Sequence, residues 1–364
     1  MPVKPTIVST FAGCGGLDAG FREEGFETVW AVDNDPAAAR TFDENFDKGI
    51  IRVADIRDID PFTDPTIPPA DLVTGGFPCQ DFSSIWKQPG LDGERGNLYK
   101  NFRDFIAALK PKAFVGENVK GLLTANKRQA IKTIVEDLES IEPGYLIKPM
   151  LYNFAEYGVP QFRERLLIVG VREDTGFNFR HPKPTHGPRG DHPYKTAGRA
   201  LIGVEKVEAN NEIPRQKQKT REMLEQIPEG GNYTCIPKDS PYYVKGLISH
   251  VYRRLDRNKP SSTVIAGGGG GTWGYHYEEP RALTNRERAR LQSFKDEFIF
   301  EGNITEVRRQ IGNAVPPDGV RPLAKRLMRL YTGDYEKADL SAEIARLKAL
   351  PIDERIKEAV QEVD

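Results

Sequence analysis

The sequence predicts an α/β protein, built on a doubly wound, mostly parallel sheet with a smaller, irregular second domain. Three observations point there. Short apolar runs alternate with helical segments as far as Arg172, the pattern of successive βα units. Those runs are continuously apolar, which suits strands covered on both faces. Beyond Arg172 the alternation stops, and residues 178–262 are rich in Pro, Gly, His and Lys/Arg.

Taken in order, 6–11 reads as the first strand and ends in the turn AlaGlyCysGlyGly, with a helix from about Leu17 to Glu24. ThrValTrpAlaVal (28–32) is the second strand, closed by Asp33, and Pro36 opens the next helix in its first turn. A short third strand precedes Asp55 and Ile56. Further strands are expected at 71–74, 113–116 and 166–171, and helices at 98–109 and 127–140. The irregular segment holds one helix, near 217–226. GlyGlyGlyGlyGly at 267–271 is a loop that exposes backbone. Thr284 and Glu287 make a capping box for a helix over 284–294. A last helix, about 318–331, packs back on the sheet. Residues 335–363 are a helical, acidic extension broken by Pro351. The expected division is 1–178 plus 312–331, then 179–311, then 332–364.

Composition narrows the class. With 364 residues and 38% hydrophobic content the chain can build a sizeable core. No apolar run approaches the ~20 residues that span a bilayer, and MetProValLysProThrIleValSerThr has no signal-peptide core. Three cysteines, Cys14, Cys79 and Cys235, make no disulfide framework. A reducing cytoplasm, next to the nucleoid, is the expected compartment. Net charge is −1, so the chain is no uniformly basic nucleic-acid binder. Residues 181–260, however, carry 15 Lys/Arg against 9 Asp/Glu, and 332–364 carry 5 against 9. The basic segment fits a polyanion site or an ordinary solvated face.

Four local patterns carry chemistry. The glycine turn offers backbone N–H groups at a helix start, and Asp33 ends the next strand, where a carboxylate can take both ribose hydroxyls. With Asp55 at the third strand end, a nucleoside site is favoured over a plain capped turn. The strict G-x-G-x-x-G fingerprint is not met. Cys79 sits in GlyGlyPheProCysGln (75–80), on a loop after a strand, where a thiol can act as thiolate; a buried packing cysteine is the alternative. Glu117 follows an apolar strand at the same sheet edge, where desolvation keeps a carboxyl protonated; a capping acid is the alternative. Gln161, Arg163 and Arg165 share one face of an extended segment, for an anion or heterocycle edge or as surface arginines.

In order, these motifs resemble those of the DNA (cytosine-5) methyltransferases, of the compact prokaryotic kind that accompanies restriction systems. The resemblance covers residues 6–331 and adds AspAsnAspPro (33–36), ArgAlaLeuThrAsnArgGluArgAlaArgLeuGlnSerPhe (281–294) and GlnIleGlyAsnAlaValProPro (310–317). It implies the Rossmann-like fold of S-adenosylmethionine-dependent methyltransferases, with a target-recognition domain over 179–311. It further implies that Cys79 attacks C6 of cytosine and Glu117 protonates N3. Arg163 would contact the O2 side of the base, Arg165 support the catalytic loop, and Asn118 orient neighbouring loops. S-adenosylmethionine is the implied donor and S-adenosylhomocysteine the product, with no metal. Phe11, Gly13, Gly15, Asp33, Asn34, Asp55, Ile56, Pro78, Leu98, Asn313 and Val315 would line its pocket. Asn34 stands where some relatives carry an aromatic, and Lys295 where they often have proline.

The implied partner is double-stranded DNA, from which the cytosine must be flipped. Asp81, Ser83 and Ser84 would sit on a mobile loop that closes over the flipped base, with Gln80 beside the emptied stack. Arg253, Arg254 and Arg257 would approach phosphates and groove. A separately encoded restriction endonuclease is a further implied partner, and no membrane is. The rivals are a tRNA cytosine methyltransferase, a binding protein without turnover, and a nicotinamide dehydrogenase, which leaves Pro–Cys–Gln unexplained.

Overall fold

The computed structural model describes residues 4–78, 98–243, 245, 251–267 and 274–363. Seven strands form one sheet: β1 Thr6–Thr10, β2 Glu27–Asp33, β3 Ile51–Val53, β4 Leu72–Gly75, β5 Ala113–Val119, β6 Tyr145–Asn153 and β7 Glu164–Arg172. Their order is β3-β2-β1-β4-β5-β7-β6. The first five pair in parallel, while β7 runs antiparallel to both β5 and β6. Both faces are covered, as the continuous apolar runs require. On β1, Ile7 faces one core cluster and Val8 the other, by the two-residue period of a strand.

One face packs α3 (Leu98–Leu109) and α4 (Gln129–Glu139), through Phe102, Phe105, Ile131 and Ile134. The other packs α1 (Gly16–Glu23) and α9 (Pro317–Thr332), through Phe21, Val320, Leu323 and Leu327. The helix α2, Pro36–Asn45, starts with Pro at its first turn and is capped by Asp35.

Strand β6 was not among the expected strands. Its sequence TyrLeuIleLysProMetLeuTyrAsn interrupts the apolar run with Lys148 and Pro149. Both are tolerated because β6 is the sheet edge. The acidic extension covers this edge. It forms α10 (Ser341–Ala349) and α11 (Ile352–Gln361), and the buried Lys148 ammonium pairs with Glu343 and Glu362, each at 3.3 Å. Arg355 adds a pair to Glu139 and donates to the Ile147 carbonyl. Edge coverage of this kind blocks strand-to-strand association.

The second region has α5 (Ala197–Leu201), α6 (Gln218–Glu225) and α7 (Asn285–Leu291), the last opened by the expected Thr284–Glu287 capping box. A further helix, α8 (Ile304–Asn313), has its own capping box, Asn303 with Glu306, a signal the sequence reading missed. The expected boundary between residues 311 and 312 falls inside α8. This helix packs on α2, where the Thr41 hydroxyl donates to Gln310 Oε1 at 2.6 Å. Among the described residues no helix is long and apolar enough to cross a membrane.

Candidate active site

Parallel strands leave a crevice at their carboxyl ends, where the following loops diverge. Here that edge opens on a cavity of about 920 Å³, lined by Phe11, Gly13, Asp33, Asn34, Pro78, Glu117, Asn118, Arg165, Asn313 and Val315, among others. A side cavity of about 290 Å³ shares Phe11, Asp33, Asn34 and Pro78 and adds Asp55, Ile56 and Leu98. Most residues expected to form one site therefore do meet.

Glu117 lies near the end of β5 and is only 9% exposed. Burial pushes its carboxyl above the usual range, opposed by Arg165 and then Arg163. The Arg165 Nε sits 3.0 Å from Glu117 Oε1. A Cβ at Gly76 would lie 3.3 Å from Glu117 Oε2, so glycine gives the loop after β4 its close approach to this carboxyl. Asn118 donates to the Phe77 carbonyl at 2.8 Å. It thereby fastens the chain two residues before Cys79. Cys79 itself, with Gln80, Asp81, Ser83 and Ser84, lies outside the described residues.

The two arginines of GlnPheArgGluArg separate in role. Arg163 is 1% exposed, and its guanidinium donates to the carbonyls of Val264, Gly312 and Ala314 at 3.0, 3.0 and 2.9 Å. Burial, with Arg165 nearby, pushes its pKa down to about 9. The expected contact of Arg163 with the base is thus replaced by a structural one. The physical reason is the seam that covers this face. Gln161 is buried there too, donating to Leu291 O and accepting from Val264 N. Only Arg165, last along the face, reaches the cavity.

Where the two cavities meet, Asp33 accepts from Gly13 N–H at 2.8 Å and from Asp35 N–H at 2.9 Å. Burial raises its pKa against those two bonds. Phe11 adopts φ 51°, a left-handed backbone that disfavours side chains, at the point where it lines both cavities. Asp55 is paired with Arg57, Nε to Oδ1 at 2.9 Å, and that hydrogen bond lowers its pKa. Ile56 is buried and Leu98 partly buried beside it. Gly15 departs from expectation. It caps α1 at φ 86° and faces the Phe46 and Phe42 rings, not the cavity.

Cys14 is buried, its thiol pushed up to about 12 by desolvation, consistent with packing. Among the lining residues that the sequence did not flag are Asp18 and Arg309. Asp18 is buried under the glycine turn and accepts from Ser9 and Thr28; burial raises it to about 6. Arg309 stands one helical turn before Asn313 on α8, a spacing that could have flagged it.

Two of the three arginines expected at DNA are engaged within the protein. Arg254 is buried and donates to the carbonyls of Leu224, Ile227, His276 and Tyr277. Arg257 pairs with Glu229 at 2.9 Å and lies over the Tyr277 ring. Arg253 is half-buried. Residues 268–273 of the glycine-rich loop lie outside the described residues.

Fold and crevice define an α/β enzyme with a deep cavity at the strand ends next to a desolvated acid. The chain belongs to the C-5 cytosine-specific DNA methylase family, whose model matches residues 6–329. It is 60% identical over 97% of its length to the type II methyltransferase M.NgoFVII of Neisseria gonorrhoeae, covering 94% of that protein. It is 40% identical to M.BbvI of Brevibacillus brevis, over 97% and 98% of the two chains. In fold it is similar to the S. pombe Dnmt2 methyltransferase, with a TM-score of 0.59 at 16% identity over 90% of this chain and 99% of the other.

Proposed function

We propose that this chain transfers a methyl group from S-adenosylmethionine to C5 of a flipped cytosine in a specific duplex DNA site. The observation that carries the reading is the placement of Glu117. Its desolvated carboxyl lies on the cavity, held by Arg165 and set against Gly76, three residues before Cys79.

The donor set suits an adenine nucleoside. Phe11, Pro78, Ile56 and Leu98 offer an apolar slot with Asp55 at its edge, and Asp33 offers a carboxylate to ribose hydroxyls. Gly13, Asn313 and Val315 belong to the amino-acid end. Bound S-adenosylmethionine supplies an electrophilic methyl group and leaves as S-adenosylhomocysteine.

Cytosine C5 is a poor nucleophile. Addition of the Cys79 thiolate to C6, while Glu117 passes a proton to N3, turns C5 into the carbon of an enamine. After methyl transfer, water takes the C5 proton, the thiolate departs from C6, and N3 returns its proton to Glu117, which restores the aromatic ring. Glu117 can hold that proton because burial disfavours its charged form. Arg165, in place of Arg163, orients the carboxyl and faces the ring. The second region reads the site. In this role the chain would protect host DNA from a separately encoded endonuclease.

The test offers the full chain labelled S-adenosylmethionine with duplex DNA or with tRNA. Label is expected in duplex DNA alone, and none with Cys79→Ser. A duplex containing 5-fluorocytosine should trap a covalent complex. Label confined to tRNA, or full transfer by Cys79→Ser, would overturn the reading.

A further inference from the structure

We propose that Arg309 is a positioning residue for the carboxylate of the methyl donor. The proposal rests on the reading of the cavity as an S-adenosylmethionine site. The acids lining the cavity are Asp18, Asp33, Asp35 and Glu117. A ligand carboxylate entering among them needs a cation. Among the described residues, the basic side chains that line the cavity are Arg165 and Arg309. Arg165 is committed to Glu117, at the end where the base is processed. Arg309 stands four residues before Asn313 on α8, hence on the same helical face as the residue that the reading above places at the amino-acid portion of the donor.

Its present partner is informative. Arg309 Nη2 meets Asp35 Oδ2 at 2.8 Å, and Asp35 N–H donates to Asp33 Oδ1 at 2.9 Å. Asp35 also caps α2 by accepting from Ala37 N–H. The cation is therefore tied, through one residue, to the acid assigned to the ribose. Guanidinium carries five N–H donors in a planar fork, and the pair with Asp35 uses Nη2. Arg309 keeps 48% side-chain exposure, so it is accessible to a ligand entering the cavity. That exposure also limits the effect: an accessible charge-assisted contact corresponds to about a tenfold change in affinity.

The alternative is that Arg309 only props Asp35 and the cap of α2. Calorimetric titration of the full chain separates the two, using S-adenosylhomocysteine, S-adenosylmethionine and decarboxylated S-adenosylmethionine. For Arg309→Ala we expect about tenfold weaker binding of the two carboxylate ligands, with the decarboxylated ligand unchanged. Arg309→Lys should recover part of the loss, and Asp35→Asn should keep the preference for a carboxylate. Equal weakening of all three ligands by Arg309→Ala, or no weakening at all, would overturn the proposal. Wild-type protein that binds none of them would overturn the cavity reading itself.

Discussion

The sheet half and the irregular segment satisfy their buried backbone in different ways. In the sheet, β5 and β7 exchange hydrogen bonds along a continuous register from Ala113–Val171 to Val119–Arg165. Within residues 178–283, the described pairing is limited to isolated bridges such as His186–His192 and Arg254–Tyr275. Buried guanidinium groups take the place of a ladder there. Arg254 collects four carbonyls, and Arg286, from α7 just beyond the segment, collects that of Ala209 within it together with those of Lys295 and Phe298. A buried carbonyl needs a donor wherever it lies, and arginine brings several on one side chain.

This difference changes what a charge count means. The basic excess of residues 181–260 suggested a polyanion surface. Yet Arg254 is internal, Arg257 is paired with Glu229, Arg189 with Glu156 and Lys259 with Asp256. The composition therefore overstates how basic the surface of this segment is.

The comparison can be broken at four places. The largest expected effect is chemical and belongs to the sheet edge. Glu117→Gln removes the carboxyl proposed as proton donor and should slow methyl transfer by about 10²–10⁴-fold, with DNA binding retained in a gel-shift assay. In the irregular segment, Arg254→Ala strands several carbonyls and should cost about 3–4 kcal/mol, read as a lower urea midpoint. An unchanged midpoint would refute the stapling role.

The third effect contrasts a buried charge that costs stability with the guanidinium groups that confer it. Burial raises Asp18 from 3.8 to about 6. The folded protein then binds more protons than the unfolded one between those values. Stability should fall as pH rises from about 4 through about 6, by about 3 kcal/mol in all. Asp18→Asn should flatten that slope in melts taken across the interval. The smallest effect is at Arg257→Ala, whose exposed pair should leave the denaturation midpoint nearly unchanged. A larger loss on denaturant titration would show that exposed arginines also staple this segment.

Local pattern sufficed for six of the seven strands, the helices on the sheet faces, the glycine turn, the capping box at Thr284 and the polar residues gathered at the strand ends. These follow from periodicity and turn chemistry, which act over a few residues. It did not reveal β6, because an edge strand tolerates the lysine and proline that disguise it. Nor could it tell Arg163 from Arg165, or Arg254 from a surface cation. Only the tertiary structure decided those, because a guanidinium's role depends on which carbonyls or carboxylates distant segments bring to it. Val264 and Gly312 lie about a hundred or more residues from Arg163 along the chain, beyond the reach of any local pattern.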